Sequence, residues 1–151
     1  MPLDPALEPL IRERFGSSRF ATWMGMSLVR IGDGESEIRL DVQPHHLNPG
    51  RIVHGGVLAT LLDASIGLAL RSKLGMTREH VTIELDVHYL SPARTGVLVG
   101  RGRAVRVGGR VSYGEAELFA DDGRVVAKGT ATFLIVEPSL RSQKDSIGGD
   151  A

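Results

Sequence analysis

The chain has 151 residues, 42% hydrophobic and 24% charged, a size and balance suited to one domain with a substantial core. Its 18 basic and 18 acidic residues cancel, so there is no global electrostatic footprint for nucleic acid or an anionic membrane. It holds no cysteine, which excludes a disulfide framework, a thiol nucleophile and thiolate metal ligation.

The opening run MPLDPALEPLIRERFG is mixed in charge and lacks the apolar stretch of a signal peptide. No segment approaches the roughly 18 apolar residues that span a bilayer, so a cytoplasmic protein is expected. Leu7, Leu10, Ile11 and Phe15 recur at helical spacing and predict a short amphipathic helix over about 5–15, stopped by Gly16-Ser17-Ser18. Residues 1–20 thus read as an N-terminal helical segment, 21–138 as a single domain, and the polar, glycine-rich 139–151 as a mobile tail. Strand patterns cover 26–31 and 35–42, joined by a turn at Gly32-Asp33-Gly34. In the second of these, Ile38, Leu40 and Val42 alternate with Glu37, Arg39 and Asp41, giving one buried and one wet face.

A loop, QPHHLNPGRIVHGG, leads into a helix over about 56–74 that is apolar almost all the way round, with Gly75 as its stop. Four more strands follow: VTIELDVHYL, which alternates cleanly, then GVLVGRGRAVRV, RVSYGEAELFA and RVVAKGTATFLIV. Their short connections predict antiparallel neighbours. A helix apolar on nearly every face must be enclosed. The order of two strands, one long helix and four strands therefore predicts an α+β fold, a curved antiparallel sheet wrapped around one central helix with edges left for a partner subunit.

Two features inside this frame carry chemistry. His54-Gly55-Gly56 opens the long helix, where free N–H groups and the positive end of the helix dipole form an anion site, such as the oxyanion of acyl transfer would need. Paired glycines also simply make tight turns. Asp63 then puts a carboxylate in the middle of the apolar helix, where an unpaired charge costs several kcal/mol. It is either paired with a nearby hydroxyl, such as Thr60 or Ser65, or functional. Eight residues of helix separate it from Gly55, roughly 12 Å, too far for both to act on one carbonyl within one chain. Two antiparallel copies of the helix, side by side, would bring Asp63 of one chain to Gly55 of the other.

The run Asn48-x5-His54-Gly55-Gly56-x6-Asp63, followed by VTIELDVHYLSPA, closely resembles the hotdog-fold acyl-CoA thioesterases, most of all the phenylacetate-pathway (PaaI-like) and human thioesterase superfamily member 2 branch. The likeness covers about 36–136, and the order of strands and helix agrees with the hotdog fold. By position it implies that Asp63 is the catalytic carboxylate, as nucleophile or as general base for water. It implies that Gly55 supplies the oxyanion-hole N–H, that Asn48 positions thioester or water, and that His54 hydrogen-bonds in the same region. Thr82 stands where relatives orient water with a hydroxyl, though an ordinary strand threonine fits equally. No cofactor is implied beyond coenzyme A as part of the substrate, and self-association is implied as a homodimer, with dimers pairing into a homotetramer. Arg106 and Arg110, flanking Gly108-Gly109, and Lys128 are candidates for the coenzyme A phosphates, with Gly56 and Gly109 allowing close approach. The acyl group would lie in an apolar slot beside the helix, near Leu61, Leu62 and Ile66, which also read as plain core. The low aromatic content, 5%, does not choose between aromatic and medium-chain acyl groups.

Competing readings are weaker. Five histidines, at 45, 46, 54, 80 and 88, include no H-E-x-x-H pattern, so no metal is expected; His45 and His46 read as loop residues and His88 as polar-face. A hotdog hydratase resembles Asp-x-Asn-Pro-x-His, but here His46 and Arg51 replace its acid and base. A non-catalytic acyl-CoA-binding hotdog module is the alternative, and Asp63 argues against it because binding alone gives no reason to keep a carboxylate beside a thioester.

Overall fold

The computed structural model describes residues 2–137, and the tail expected from 139 onward lies outside the described residues. The N-terminal helix forms as expected, as α1 (Leu7–Gly16) with Ile11 buried. A second helix, α2 (Arg19–Met24), was not legible, because six residues are too few to show a period. Ser18 caps it by accepting from the Ala21 N–H, and Gly25 ends it at a φ of 76°.

The six strands are β1 (Met26–Gly32), β2 (Glu35–Asp41), β3 (Glu79–Tyr89), β4 (Val97–Arg106), β5 (Val111–Ala120) and β6 (Val125–Val136), with the long helix α3 (Gly55–Leu74) between β2 and β3. They form one antiparallel sheet in the order β1-β2-β4-β5-β6-β3, curved around α3 as the strand-helix-strand order predicts. Asp33 and Gly34 both take positive φ, 45° and 81°, which makes the β1–β2 connection a tight hairpin of the twist-matched kind.

α3 lies close against the sheet because small residues line its bed. A Cβ on Gly102 would stand 2.2 Å from the Ser65 carbonyl oxygen, and one on Gly114 would stand 2.4 Å from the Ile66 side chain. Leu61, Leu62, Ile66 and Leu70 are fully buried against Ile38, Leu40, Leu98, Leu118 and Val126. Ser36 Oγ donates to the Ser65 carbonyl at 2.6 Å and supplies a polar tie within this apolar contact. No helix of the described residues is long and apolar enough to cross a membrane.

Two expectations are corrected. His46 is no ordinary loop residue: it ends a 3-10 helix (Pro44–His46) and is 1% exposed. Its Nδ1 accepts from the Gln43 N–H at 2.9 Å, so its Nε2 carries the proton and donates to the Met24 carbonyl at 2.9 Å. Burial holds its imidazole below the usual pKa and hence neutral. The alternation of VTIELDVHYL also breaks, because the β3–β6 register shifts between Thr82 and Glu84. Such a bulge exchanges the two faces of a strand. Leu85, Val87 and Tyr89 stand opposite the inward-facing Ala131, Gly129 and Ala127, but before the bulge it is Thr82 that stands opposite the buried Phe133. His80 shares that face, while Val81 and Ile83 are turned outward, 47% and 57% exposed.

Candidate active site

The segment before α3 is clamped by main-chain bonds. Asn48 N–H donates to the Ile52 carbonyl at 2.8 Å, Val53 N–H to the Ala93 carbonyl at 2.7 Å, and His54 N–H to the His46 carbonyl at 2.8 Å. Asn48 Oδ1 accepts from the Ile52 N–H at 3.3 Å, and its amide nitrogen takes no partner among the described residues. The YLSPA run therefore has a visible task. Ala93 holds the loop, and Tyr89 reaches over the helix start, its hydroxyl donating to the Gly55 carbonyl at 3.2 Å. A Cβ on Gly55 would stand 3.3 Å from the Tyr89 ring.

His54 is the N-cap of α3. Its Nδ1 accepts from the Gly56 N–H at 2.8 Å, and its carbonyl accepts from the Val57 N–H at 2.9 Å. The Gly55 N–H takes no acceptor among the described residues. Of the two glycines expected at an anion site, one is thus already satisfied by its own cap and the other is open.

Asp63 faces away from that place. Thr60 and Ser65, its expected local partners, donate instead to the Gly56 and Leu61 carbonyls. Its partner is Thr82, whose hydroxyl donates to Asp63 Oδ1 at 2.8 Å; Oδ2 takes none among the described residues. Burial raises the Asp63 pKa, and the Thr82 hydrogen bond partly counters that rise.

Asp63 and Thr82 belong to a cavity of about 330 Å³ that also touches Ile11, Phe15, Leu68 and Phe133. Its deeper wall is an ionic network that sequence reasoning missed. Glu79 accepts both guanidinium N–H groups of Arg14, at 2.8 and 2.7 Å, and one from the 5% exposed Arg71 at 2.9 Å. Arg71 also donates to His80 Nδ1 at 3.1 Å and to the carbonyls of Gly75 and Arg78. His80 is held to a pKa of about 4, first by burial and then by the Arg71 charge. One signal for this wall was present: His80 precedes Thr82 by two residues, so both share a strand face.

Asn48, Gly55 and Tyr89 line a second cavity, while His54 and Gly56 line a third with Trp23. None of these five residues touches the Asp63 cavity. The remaining candidates are also separate from it. Arg106 ends β4, and Gly109 and Arg110 lie in the exposed β4–β5 turn. Lys128 pairs with Glu117 at 2.5 Å on the face of the sheet away from α3. Leu61, Leu62 and Ile66 are core and line no part of the cavity; Ala64, Gly67 and Leu68 do. Among the described residues no three His, Asp or Glu side chains gather as metal ligands.

Comparison with known proteins identifies the family. The family model described as "Thioesterase superfamily" matches residues 50–127, which span the α3 start, Asp63 and the YLSPA run. A protein of Halobacterium salinarum named as an esterase is 38% identical over 111 residues, 70% of this chain and 73% of its own. The medium/long-chain acyl-CoA thioesterase YigI of Salmonella typhimurium is 27% identical over 127 residues, 74% of this chain and 82% of its own. Among solved structures, the conserved protein PA5202 of Pseudomonas aeruginosa superposes with a TM-score of 0.78 at 34% identity, covering 82% of this chain and 98% of its own. A mutant of the phenylacetic acid degradation protein PaaI of Thermus thermophilus does so with a TM-score of 0.71 at 23% identity, covering 78% and 98%, a likeness of fold. With its curved sheet, its single enclosed helix and the family match across the helix, the chain belongs to the thioesterase superfamily and is a thioester hydrolase of the hotdog fold.

Proposed function

We propose that the protein hydrolyses an acyl-CoA thioester to free acid and coenzyme A at a site built from two subunits, Asp63 and Thr82 from one and Asn48, His54 and Gly55 from the other. The observation that carries this reading is the separation of the parts: the free Gly55 N–H and the half-free Asp63 carboxylate face different cavities of one subunit. The edge strand β3, eleven residues long with Val81, Ile83 and Tyr89 exposed, supports pairing with a second copy. YigI, by its name an acyl-CoA thioesterase, supports the substrate class.

The chemistry needs one carboxylate, one water and one oxyanion hole. Asp63 takes a proton as the water oxygen bonds to the thioester carbonyl carbon. The partner's Gly55 N–H receives the resulting oxyanion, with the Asn48 amide beside it. The C–S bond then breaks and the departing thiolate takes the proton from Asp63. Direct attack by Asp63 to give an anhydride, later hydrolysed, uses the same residues. We assign the coenzyme A phosphates to the exposed Arg106 and Arg110 with Gly109 between them; Lys128, engaged by Glu117, and Gly56, engaged by His54, have lesser parts. The protein would need no cofactor, would act in the cytoplasm and would assemble at least as a homodimer.

The test is thiol release across aromatic and C2 to C16 acyl-CoAs, with wild type beside Asp63→Asn. The expected result is hydrolysis that falls by about two or more orders of magnitude in the variant while the assembly persists. Equal rates in the two proteins would remove Asp63 from the chemistry, and acyl-CoA binding without any thiol release would make the protein a binding module.

A further inference from the structure

The proposed reaction leaves one cavity at the start of α3 without a task. It measures about 280 Å³ and shares no lining residue with the Asp63 cavity or with the one that Gly55 and Tyr89 line. Phe20 and Trp23 form one wall of it. They stand three residues apart on α2, hence on one face, and they are 55% and 69% exposed. Large aromatic side chains left this open are informative, because burial is their ordinary state.

This wall is anchored in the core. The buried His46 donates to the Met24 carbonyl and so ties the end of α2 to the 3-10 helix. The His45 ring packs on that of His46, centroids 4.2 Å apart, and Trp23 packs on His45 at 6.2 Å. Leu47 and Val57 complete the apolar lining. No carboxylate, lysine or arginine lines the cavity; its ionisable side chains are three histidines. His46 has both ring nitrogens engaged. His54 accepts the Gly56 N–H on Nδ1, so its ring proton is on Nε2 and is available to a ligand. The Trp23 indole can only donate. His45 has no hydrogen-bond partner among the described residues, and an anion beside it would favour its cationic form. Thr60, the remaining polar side chain, donates its hydroxyl proton to the Gly56 carbonyl. Two N–H donors and a chargeable imidazole, set against an aromatic wall, match a carboxylate carried on a compact apolar body.

We propose that this cavity is a second site, one that binds a small monocarboxylic acid, the chemical class of the acid that thioester hydrolysis releases, and that its occupancy slows turnover. The apolar body of the acid lies on Phe20 and Trp23, and its carboxylate accepts the His54 Nε2–H. The volume, at the low end for ligand cavities, leaves no room for a coenzyme A thioester. The slowing rests on the two-subunit thioesterase site proposed above, which places His54 beside the substrate. A carboxylate on Nε2 takes the one proton that this ring offers while Nδ1 caps α3.

Trp23 is the chain's single tryptophan, so its emission reports on this cavity. The experiment titrates that emission with phenylacetate, hexanoate and, as a neutral match, phenylacetamide, in wild type, in Phe20→Ala and in Asp63→Asn saturated with an acyl-CoA. The acids should give a saturable change that the amide reaches only at about tenfold higher concentration. Phe20→Ala should weaken acid binding, and bound acyl-CoA should leave it in place. In steady-state thiol release the acid should lower kcat in wild type. Trp23→Ala should lose that effect, while any rise in KM from competition at Asp63 stays. Both aromatic side chains are exposed, so neither substitution threatens the fold. No emission change, an amide that binds as well as the acid, or an acid displaced by acyl-CoA overturns the site. So does emission that follows protein concentration and not acid, which would make the Trp23 face a contact between copies. Acid binding without a fall in kcat overturns the regulatory role and leaves the thioesterase reading intact. No thiol release by wild type from any acyl-CoA overturns that reading and the slowing with it, while the emission titration still decides the site.

Discussion

The Thr82 hydroxyl donates to Asp63 Oδ1 at 2.8 Å, and this bond joins the middle of the enclosed helix to the edge strand of the sheet. It occupies one carboxylate oxygen and leaves the other for water or substrate. It also lowers the pKa of a group that burial raises. The pair thus answers how a carboxylate persists on an apolar helix: it is half-paired, and it opens on a cavity instead of lying in the core.

Thr82→Val is expected to move the acid limb of the kcat/KM profile to higher pH. The variant removes the one hydrogen bond that lowers the Asp63 pKa, so protonation, which would disable Asp63 in its proposed role as base or nucleophile, sets in at higher pH. At neutral pH kcat should fall by about tenfold as the carboxylate loses its orientation. Thr82→Ser restores the donor and should restore both quantities. A pH profile of Thr82→Val that superposes on wild type would leave Thr82 an ordinary strand residue.

Tyr89→Phe removes the hydroxyl that holds the Gly55 carbonyl. The expected loss is about three- to tenfold in kcat with KM little changed, since one neutral hydrogen bond on the α3 start is worth about 1 kcal/mol. His54→Ala removes the acceptor of the Gly56 N–H and should cost a further measurable quantity, about 1 kcal/mol of folding stability. Denaturant titration and steady-state kinetics separate the two effects. A Tyr89→Phe enzyme as fast as wild type would show that the helix start is set by the loop clamps alone.

Folding stability is expected to fall as pH drops from about 6.5 toward 5. His80, with a folded pKa of about 4, and His46, also lowered by burial, stay neutral in the folded chain, while the unfolded chain takes up their protons near pH 6.5. Their stabilising share is complete above the unfolded pKa and is lost as pH falls toward the folded one. Asp63 acts in the opposite sense, because its raised pKa makes the folded chain the better proton acceptor. Across this window His80 alone should contribute on the order of 1–2 kcal/mol of the decline. Thermal melts of wild type and His80→Gln at several pH values check this; parallel slopes for the two proteins would contradict it.

Charges on the edge of β3 should separate subunits and activity together. Val81→Lys with Ile83→Lys places two ammonium groups on the exposed edge strand without touching the Thr82–Asp63 pair. If the site needs two chains, sedimentation should show monomer and kcat/KM should fall by more than about tenfold. A monomer with wild-type activity would sink the two-subunit site, since Asp63 and Gly55 would then have to act within one chain.

Much of the frame is legible in the sequence. The strand periods, the glycine turns and the all-round apolar helix each report local physics, and together they leave few ways to bury α3. The spacing of His54, Gly55, Gly56 and Asp63 could be read directly, and helical rise alone showed that Gly55 and Asp63 lie too far apart to share one carbonyl. The family likeness rested on the same residues and on YLSPA.

What surrounds Asp63 could not be read in this way. The alternation in VTIELDVHYL puts Val81 and Ile83 on the face of Leu85 and Val87, and only the pairing of β3 with β6 shifts the register between Thr82 and Glu84. A bulge is decided by the partner strand and the helix beneath, neither of which is local to the segment. That shift turns Thr82 and His80 toward α3, and Arg14 reaches Glu79 from 65 residues away. The order of residues sets which groups exist and how far apart they lie along each element. Which of them meet is settled by the folded arrangement, because facing and register depend on contacts between segments distant in the chain.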